Sequence, residues 1–251
     1  MSDLHSFELA ATDGKLIRGD RAMGKDRQLL YITGFLSKRW GNKSKALAQW
    51  CQEQGWGFCC YDVRGFGDSE GTFTDYSLSD WVADARLVVD ALKAGPTMTI
   101  VGNSLGSWIA WLIAQEFELV DRLILIAPAF NMMGVRATQI APERRQAWQS
   151  TGWMPWDDDP LHKDWALSWK WVEESEAYWQ ATFGRLRPVR TTILHGLQDT
   201  VILPDGSREF ARLLLAKAPT YPIDLNLIPG DHRLSSPEHV ERFHKLVLGQ
   251  P

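Results

Sequence analysis

The sequence predicts an α/β fold: a mostly parallel central sheet with helices on both faces, interrupted by one helical, tryptophan-rich insertion. Two observations carry this reading. Short runs that are apolar throughout, such as LLYI, FCCY, MTIV and LILI, alternate with segments of helical apolar spacing, and strands without polar alternation belong to a parallel sheet covered on both sides. A single stretch, from about Phe130 to Leu186, contains no convincing strand and is too long for a plain loop inside such a domain.

The elements follow in order. HSFELAATDGKLIRGDRA alternates apolar and polar residues around Asp13-Gly14, a dipeptide of tight turns, and reads as an antiparallel hairpin. RQLLYITGF is a strand ending at Gly34, and Lys43 to Gln54 is a helix whose apolar positions are Ala46, Leu47, Trp50 and Cys51. Then come the strand GFCCYDV, the helix SLSDWVADARLVVDAL behind a Ser/Asp cap, the strand TMTIVGN, the helix SWIAWLIAQEF and the strand DRLILIAP. Beyond the insertion, VRTTILHG and PIDLNLIPG are strands separated by a helix from about Ser207 to Ala216. SSPEHVERFHKLVL is a last helix opened by Ser236, Pro237 and Glu238. The core is therefore expected in residues 1–129 and 187–251, with 130–186 as a helical cap.

Composition agrees with one folded unit: 251 residues, 45% apolar and 23% charged, suit a soluble globular protein with a large core. The net charge is -4 with acidic and basic residues mixed along the chain, so neither nucleic acid nor an anionic membrane surface is the expected partner. The opening MSDLHSFELAATDGK lacks a basic stretch followed by an apolar one, and no run approaches about 20 apolar residues. A soluble, cytoplasmic protein without a membrane span is expected. Cys51, Cys59 and Cys60 cannot all pair and read as packed thiols; no zinc-ligand spacing is present, so no metal site is expected.

The chemistry concentrates at Gly102-Asn103-Ser104-Leu105-Gly106, a G-x-S-x-G motif set between the strand TMTIV and the helix SWIAWLIAQEF. That is the context in which such a serine occupies a strained strand-to-helix turn and stands clear at the edge of a sheet. A serine hydroxyl needs a base, and the base needs an orienting acid. Where this turn carries a triad, the order is serine, acid, histidine, each after a late strand. Asp199 in HGLQDTVILP and His232 in PGDHRL stand at those places. His5 lies near a terminus, His162 in the insertion, and His239 and His244 on the last helix; His195 precedes the acid and is read as shaping the loop that carries Asp199. Asp231 adjoins His232, Asp205 lies where a helix begins, and Asp157, Asp158 and Asp159 read as a solvated acidic run. Oxyanion donors are expected from the backbone N–H of Leu105, at the helix start, and of Phe35, after Gly34.

By these residues the chain resembles the α/β-hydrolase superfamily from about Phe7 to its C-terminus. Asp62-Val63-Arg64-Gly65-Phe66-Gly67-Asp68-Ser69 looks like that superfamily's structural D-x-R-G-x-G-x-S turn. GFLSKRWGNKSKAL, YDVRGFGDSEG, VGNSLGSW, HGLQDTVILP and GDHRL are similar to its branch of mitochondrial palmitoyl-protein thioesterases and acyl-glucuronide esterases. The resemblance implies a triad of Ser104, Asp199 and His232 and cleavage of small-molecule esters or thioesters through an acyl-enzyme, without metal, nucleotide or flavin. Thr33-Gly34 stands where His-Gly is frequent. A C–C bond hydrolase would use the same three residues, and a ligand-binding protein could keep the fold without catalysis.

Seven of the thirteen tryptophans fall in the insertion: Trp148, Trp153, Trp156, Trp165, Trp169, Trp171 and Trp179. They are expected to line an apolar pocket above Ser104 and to favour apolar acyl substrates. Gluing the cap helices to the sheet and forming a subunit contact are the competing uses.

Overall fold

The computed structural model describes residues 4–92, 97–156 and 165–248. Strands β1 (His5–Ala10) and β2 (Leu16–Ala22) form the expected antiparallel hairpin, His5 opposite Arg21. Then follow β3 (Gln28–Ile32), α1 (Asn42–Gln54), β4 (Gly57–Tyr61), a 3₁₀ turn at Phe73–Asp75, α2 (Leu78–Leu92), β5 (Met98–Asn103), α3 (Leu105–Ala114) and β6 (Val120–Ile126). The insertion holds α4 (Met132–Gln139), α5 (Pro142–Thr151), β7 (Trp153–Pro155), β8 (Ala166–Ser168) and α6 (Trp169–Ala181). The chain closes with β9 (Arg190–Gly196), α7 (Asp205–Lys217), β10 (Ile223–Ile228) and α8 (Pro237–Leu248).

Eight strands form one sheet in the order β1-β2-β4-β3-β5-β6-β9-β10. Only the β1–β2 and β2–β4 pairs are antiparallel. The central strands obey the two-residue alternation of a sheet buried on both faces. Leu30, Ile32, Cys59 and Tyr61 face the core beneath α2, α3 and the insertion, whereas Leu29, Tyr31, Phe58 and Cys60 face the layer of α1 and α8. Adjacent Cys59 and Cys60 thus point to opposite sides, and burial pushes both thiols far above their ordinary range.

The insertion departs from the all-helical expectation. β7 and β8 pair antiparallel, Met154 opposite Leu167, and bury both side chains. The indole N–H of Trp148 donates to Leu167 O at 2.8 Å and ties α5 to this ribbon. Three-residue strands are too short to leave a periodic signal in the sequence. Asp157, Asp158, Asp159 and His162 lie outside the described residues. Among the described residues no helix is long and apolar enough to cross a membrane, and no cluster of His, Cys, Asp or Glu could hold a metal ion.

Candidate active site

β5 ends in the G-x-S-x-G turn, and the turn's glycines are there because backbone passes where side chains would be. A Cβ on Gly102 would come within 2.5 Å of Gly106 O and Ser107 Cα, and one on Gly106 within 2.3 Å of the carbonyl oxygens of Ile32 and Thr33. Ser104, the N-cap of α3, is held at φ 54° and ψ -118°, a strained conformation for a residue with a Cβ. Its N–H donates to Ile126 O at 2.8 Å and its carbonyl accepts from Ala129 N–H at 3.2 Å, so β6 clamps the turn from the neighbouring strand.

The loops after β9 and β10 meet this serine. His232 Nε2 lies 3.1 Å from Ser104 Oγ, and its Nδ1 lies 2.7 Å from Asp199 Oδ2. Asp199 Oδ1 accepts the N–H groups of Val201 and Ile202, both at 2.9 Å. Burial alone would raise the Asp199 carboxyl, but the imidazoles of His195 and His232 and the Ile202 amide outweigh it and hold it well below the usual carboxylate range. The three residues singled out in sequence are thus brought into one hydrogen-bonded line.

The two expected oxyanion donors flank Ser104. Leu105 is the first residue of α3, and the opening amides of a helix have no carbonyl partner within it. Gly34 backs onto the serine, since a Cβ there would lie 3.2 Å from Ser104 Cβ, and this brings the Phe35 backbone to the site. The ring of Phe35 packs into an aromatic cluster, with Phe66, Phe73, Trp156 and Trp171 at centroid distances of 5.6, 5.2, 5.4 and 5.3 Å. The loop is further anchored by Arg39, which donates to Asp20, Asp62 and Asp68 at 2.7, 2.5 and 2.8 Å. Asp62 and Asp68 come from the D-x-R-G-x-G-x-S turn, which therefore braces the loop carrying Phe35.

The cavity that opens on Ser104 and His232 is about 440 Å³ and is lined by Phe35 and Leu36 together with polar groups, among them Lys38, Asn42, Lys43, Asn103 and Arg233. Among the described residues, no tryptophan of the insertion and no carboxylate side chain lines it. Among the described residues the lining is not the tryptophan-lined apolar one expected from the sequence. Trp148 and Trp171 are each 1% exposed and Trp169 is 9% exposed; Trp171 meets Trp81 of α2 edge-on at 4.9 Å, and Trp148 meets Trp169 at 5.3 Å. Trp171 thus ties the insertion to the core, and Trp148 and Trp169 tie α5 to α6 within it, because a large flat side chain gains most by being covered on all sides. Lys43, in the first turn of α1, donates to Arg233 O. Burial pushes its ammonium down to about 8, with Asp231 opposing the shift and Arg233 adding to it.

Two features escaped the sequence reading. The cationic lining comes from Lys38 and Arg233 in loops and Lys43 in the first turn of α1, which no single local pattern joins. His195 donates to the triad-like carboxylate itself, which its position four residues before Asp199 at the end of a strand hints at without specifying.

Comparison with known proteins fits this architecture. Residues 37–151 match a family model described as serine aminopeptidase, S33. The chain is 27% identical over 221 residues to the human palmitoyl-protein thioesterase ABHD10, mitochondrial, covering 84% of this chain and 68% of that one. It is 25% identical over 190 residues to the bovine protein, covering 72% of this chain and 60% of the relative's own length. Among solved structures, α/β hydrolase domain-containing protein 10 from mouse superposes with a TM-score of 0.85 at 21% identity, over 98% of this chain and 97% of that chain. Est1E from Butyrivibrio proteoclasticus, with ferulic acid bound, gives 0.76 at 21% identity, over 97% and 98%. The chain has the α/β-hydrolase fold and resembles in sequence the palmitoyl-protein thioesterase branch of that superfamily.

Proposed function

We propose that the chain is a serine hydrolase of carboxylic esters or thioesters. The observation that carries this is the continuous hydrogen-bonded line from Ser104 Oγ through His232 to Asp199. Ser104 attacks the acyl carbon while His232 Nε2 takes its proton, and the N–H groups of Leu105 and Phe35 receive the oxyanion. The tetrahedral adduct collapses as the alcohol or thiol leaves with that proton. Water, deprotonated by His232, then releases the acid and restores Ser104. Asp199, ionised and pinned by two backbone amides, holds the Nδ1–H tautomer and stabilises the imidazolium that forms. The thioesterase and ferulic-acid-bound relatives support the same reaction class.

The lining favours substrates with negative charge near the scissile bond, since among the described residues Lys38, Lys43 and Arg233 line the cavity and no carboxylate does. Segment 130–186 serves as a cap on a core made of 1–129 and 187–251. Ser104→Ala tests the assignment. Hydrolysis of p-nitrophenyl acetate should vanish while the cooperative unfolding transition stays, because a small hydroxyl contributes little to packing; activity near wild type in a pure preparation would refute it.

A further inference from the structure

Asp199 Oδ2 is shared by two histidines. His232 Nδ1 lies at 2.7 Å, and on the other side His195 Nε2 lies at 3.0 Å. The side chains of His195 and Asp199 are both fully buried. His195 Nε2 also lies 2.9 Å from Ile202 O, so it faces two acceptors, neither of which has a proton to give, and must itself be the donor. Its Nδ1 lies 2.8 Å from Ser207 Oγ, a fully buried hydroxyl in the first turn of α7. With the two backbone N–H groups on Oδ1, the carboxylate receives four donors, the full capacity of its two oxygens.

We propose that His195 is a positioning residue for the candidate acid. Its Nε2–H fills one acceptor position on Oδ2 so that the remaining one is aimed at His232, and it withholds part of the carboxylate charge from His232. Ser207 fixes the ring, linking α7 to the site. This inference rests on the serine-hydrolase reading and adds to it a fourth residue that does not touch substrate. The titratable groups facing Asp199 are His195 from the end of β9 and His232 from the loop after β10; Lys43 at the head of α1 faces Asp231 and Arg233 beside them.

A donor removed from one side of Oδ2 leaves more charge for the other, which strengthens the hold on the His232 proton. In His195→Leu, therefore, the ascending limb of the kcat/KM profile against pH, read with p-nitrophenyl acetate, should move up by about one pH unit, the size expected for one charge-assisted hydrogen bond. His195→Gln places an amide N–H2 near the Nε2 position and should return the limb towards wild type. A limb unmoved in His195→Leu, or moved alike in both variants, would overturn the proposal and leave His195 a packing residue. A measurement on the unaltered protein covers the case in which His195→Leu does not fold: two-bond proton–nitrogen spectra of protein labelled with ¹⁵N-histidine should show a proton on His195 Nε2, and a bare Nε2 would equally overturn it. Ser104→Ala, run beside these, separates the two ideas. If it hydrolyses the ester as wild type does, the hydrolase reading falls, while the nitrogen spectra still decide the role of His195.

Discussion

Asp199→Asn changes one atom and should silence the site through a tautomer. The amide has two orientations. With its carbonyl towards Val201 and Ile202, both 2.9 Å away as donors, its N–H2 faces His232 and His195. One donor, His195 Nε2–H, is then mismatched. Turned over, the N–H2 meets two rigid backbone N–H groups. The first orientation therefore wins by one fewer mismatched donor, about 1–3 kcal/mol. It makes His232 Nδ1 an acceptor, which puts the ring proton on Nε2, where it points at Ser104 and blocks proton transfer. Loss of the carboxylate charge beside the imidazolium adds to this. Together they should lower kcat on the order of 10⁴-fold, as wrong-tautomer changes do in other triads. Steady-state hydrolysis of p-nitrophenyl acetate, with circular dichroism to establish the fold, reads the effect. A loss below about tenfold in a folded variant, or a crippling effect of Asp231→Asn instead, would refute the reasoning. Asp231 is exposed and accepts the local N–H groups of Arg233 and Leu234.

Three other outcomes are expected. Esters bearing a carboxylate near the scissile bond should lose kcat/KM as salt is added, more than neutral esters do. That preference should fade above a pH of about 8 as Lys43 gives up its proton, and Lys43→Met should weaken it at neutral pH; equal salt and pH responses for charged and neutral esters would contradict the cationic lining. Trp171→Ala should cost about 3–5 kcal/mol in urea unfolding, whereas Trp153→Ala, 49% exposed on β7, should cost less than about 1 kcal/mol. The acid limb of stability should depend on Asp199. Its carboxyl is lowered from the ordinary 3.8, so its contribution is complete above a pH of about 4 and lost as pH falls below that; Asp199→Asn should flatten the decline, as melting temperatures from pH 5 to 2.5 will show.

The candidate site was legible where chemistry depends on chain order. Ser104 announced itself because a strand, a G-x-S-x-G turn and a helix must be contiguous in sequence. Asp199 and His232 followed because each sits just past an apolar strand. The polarity of the cavity was not legible, since Lys38 from the loop after β3, Lys43 from the first turn of α1 and Arg233 from the loop after β10 converge only in the folded chain. Nor was the use of the tryptophans. A count of indoles does not say which way they point, and Trp156 and Trp171 pack against the Phe35 ring. The ribbon of β7 and β8 was invisible for a different reason: three residues per strand, stabilised by Trp148 bonding to Leu167 O, owe their form to tertiary contact rather than to local pattern.

The central claim is that Ser104 is a nucleophile activated by His232. Incubation with a fluorophosphonate, followed by peptide mass spectrometry, tests it most directly. The account predicts stoichiometric phosphonylation on Ser104 alone among the serines, abolished in Ser104→Ala and slowed strongly in His232→Ala. Absence of labelling on Ser104 in folded protein, or labelling at an undiminished rate in His232→Ala, would contradict it.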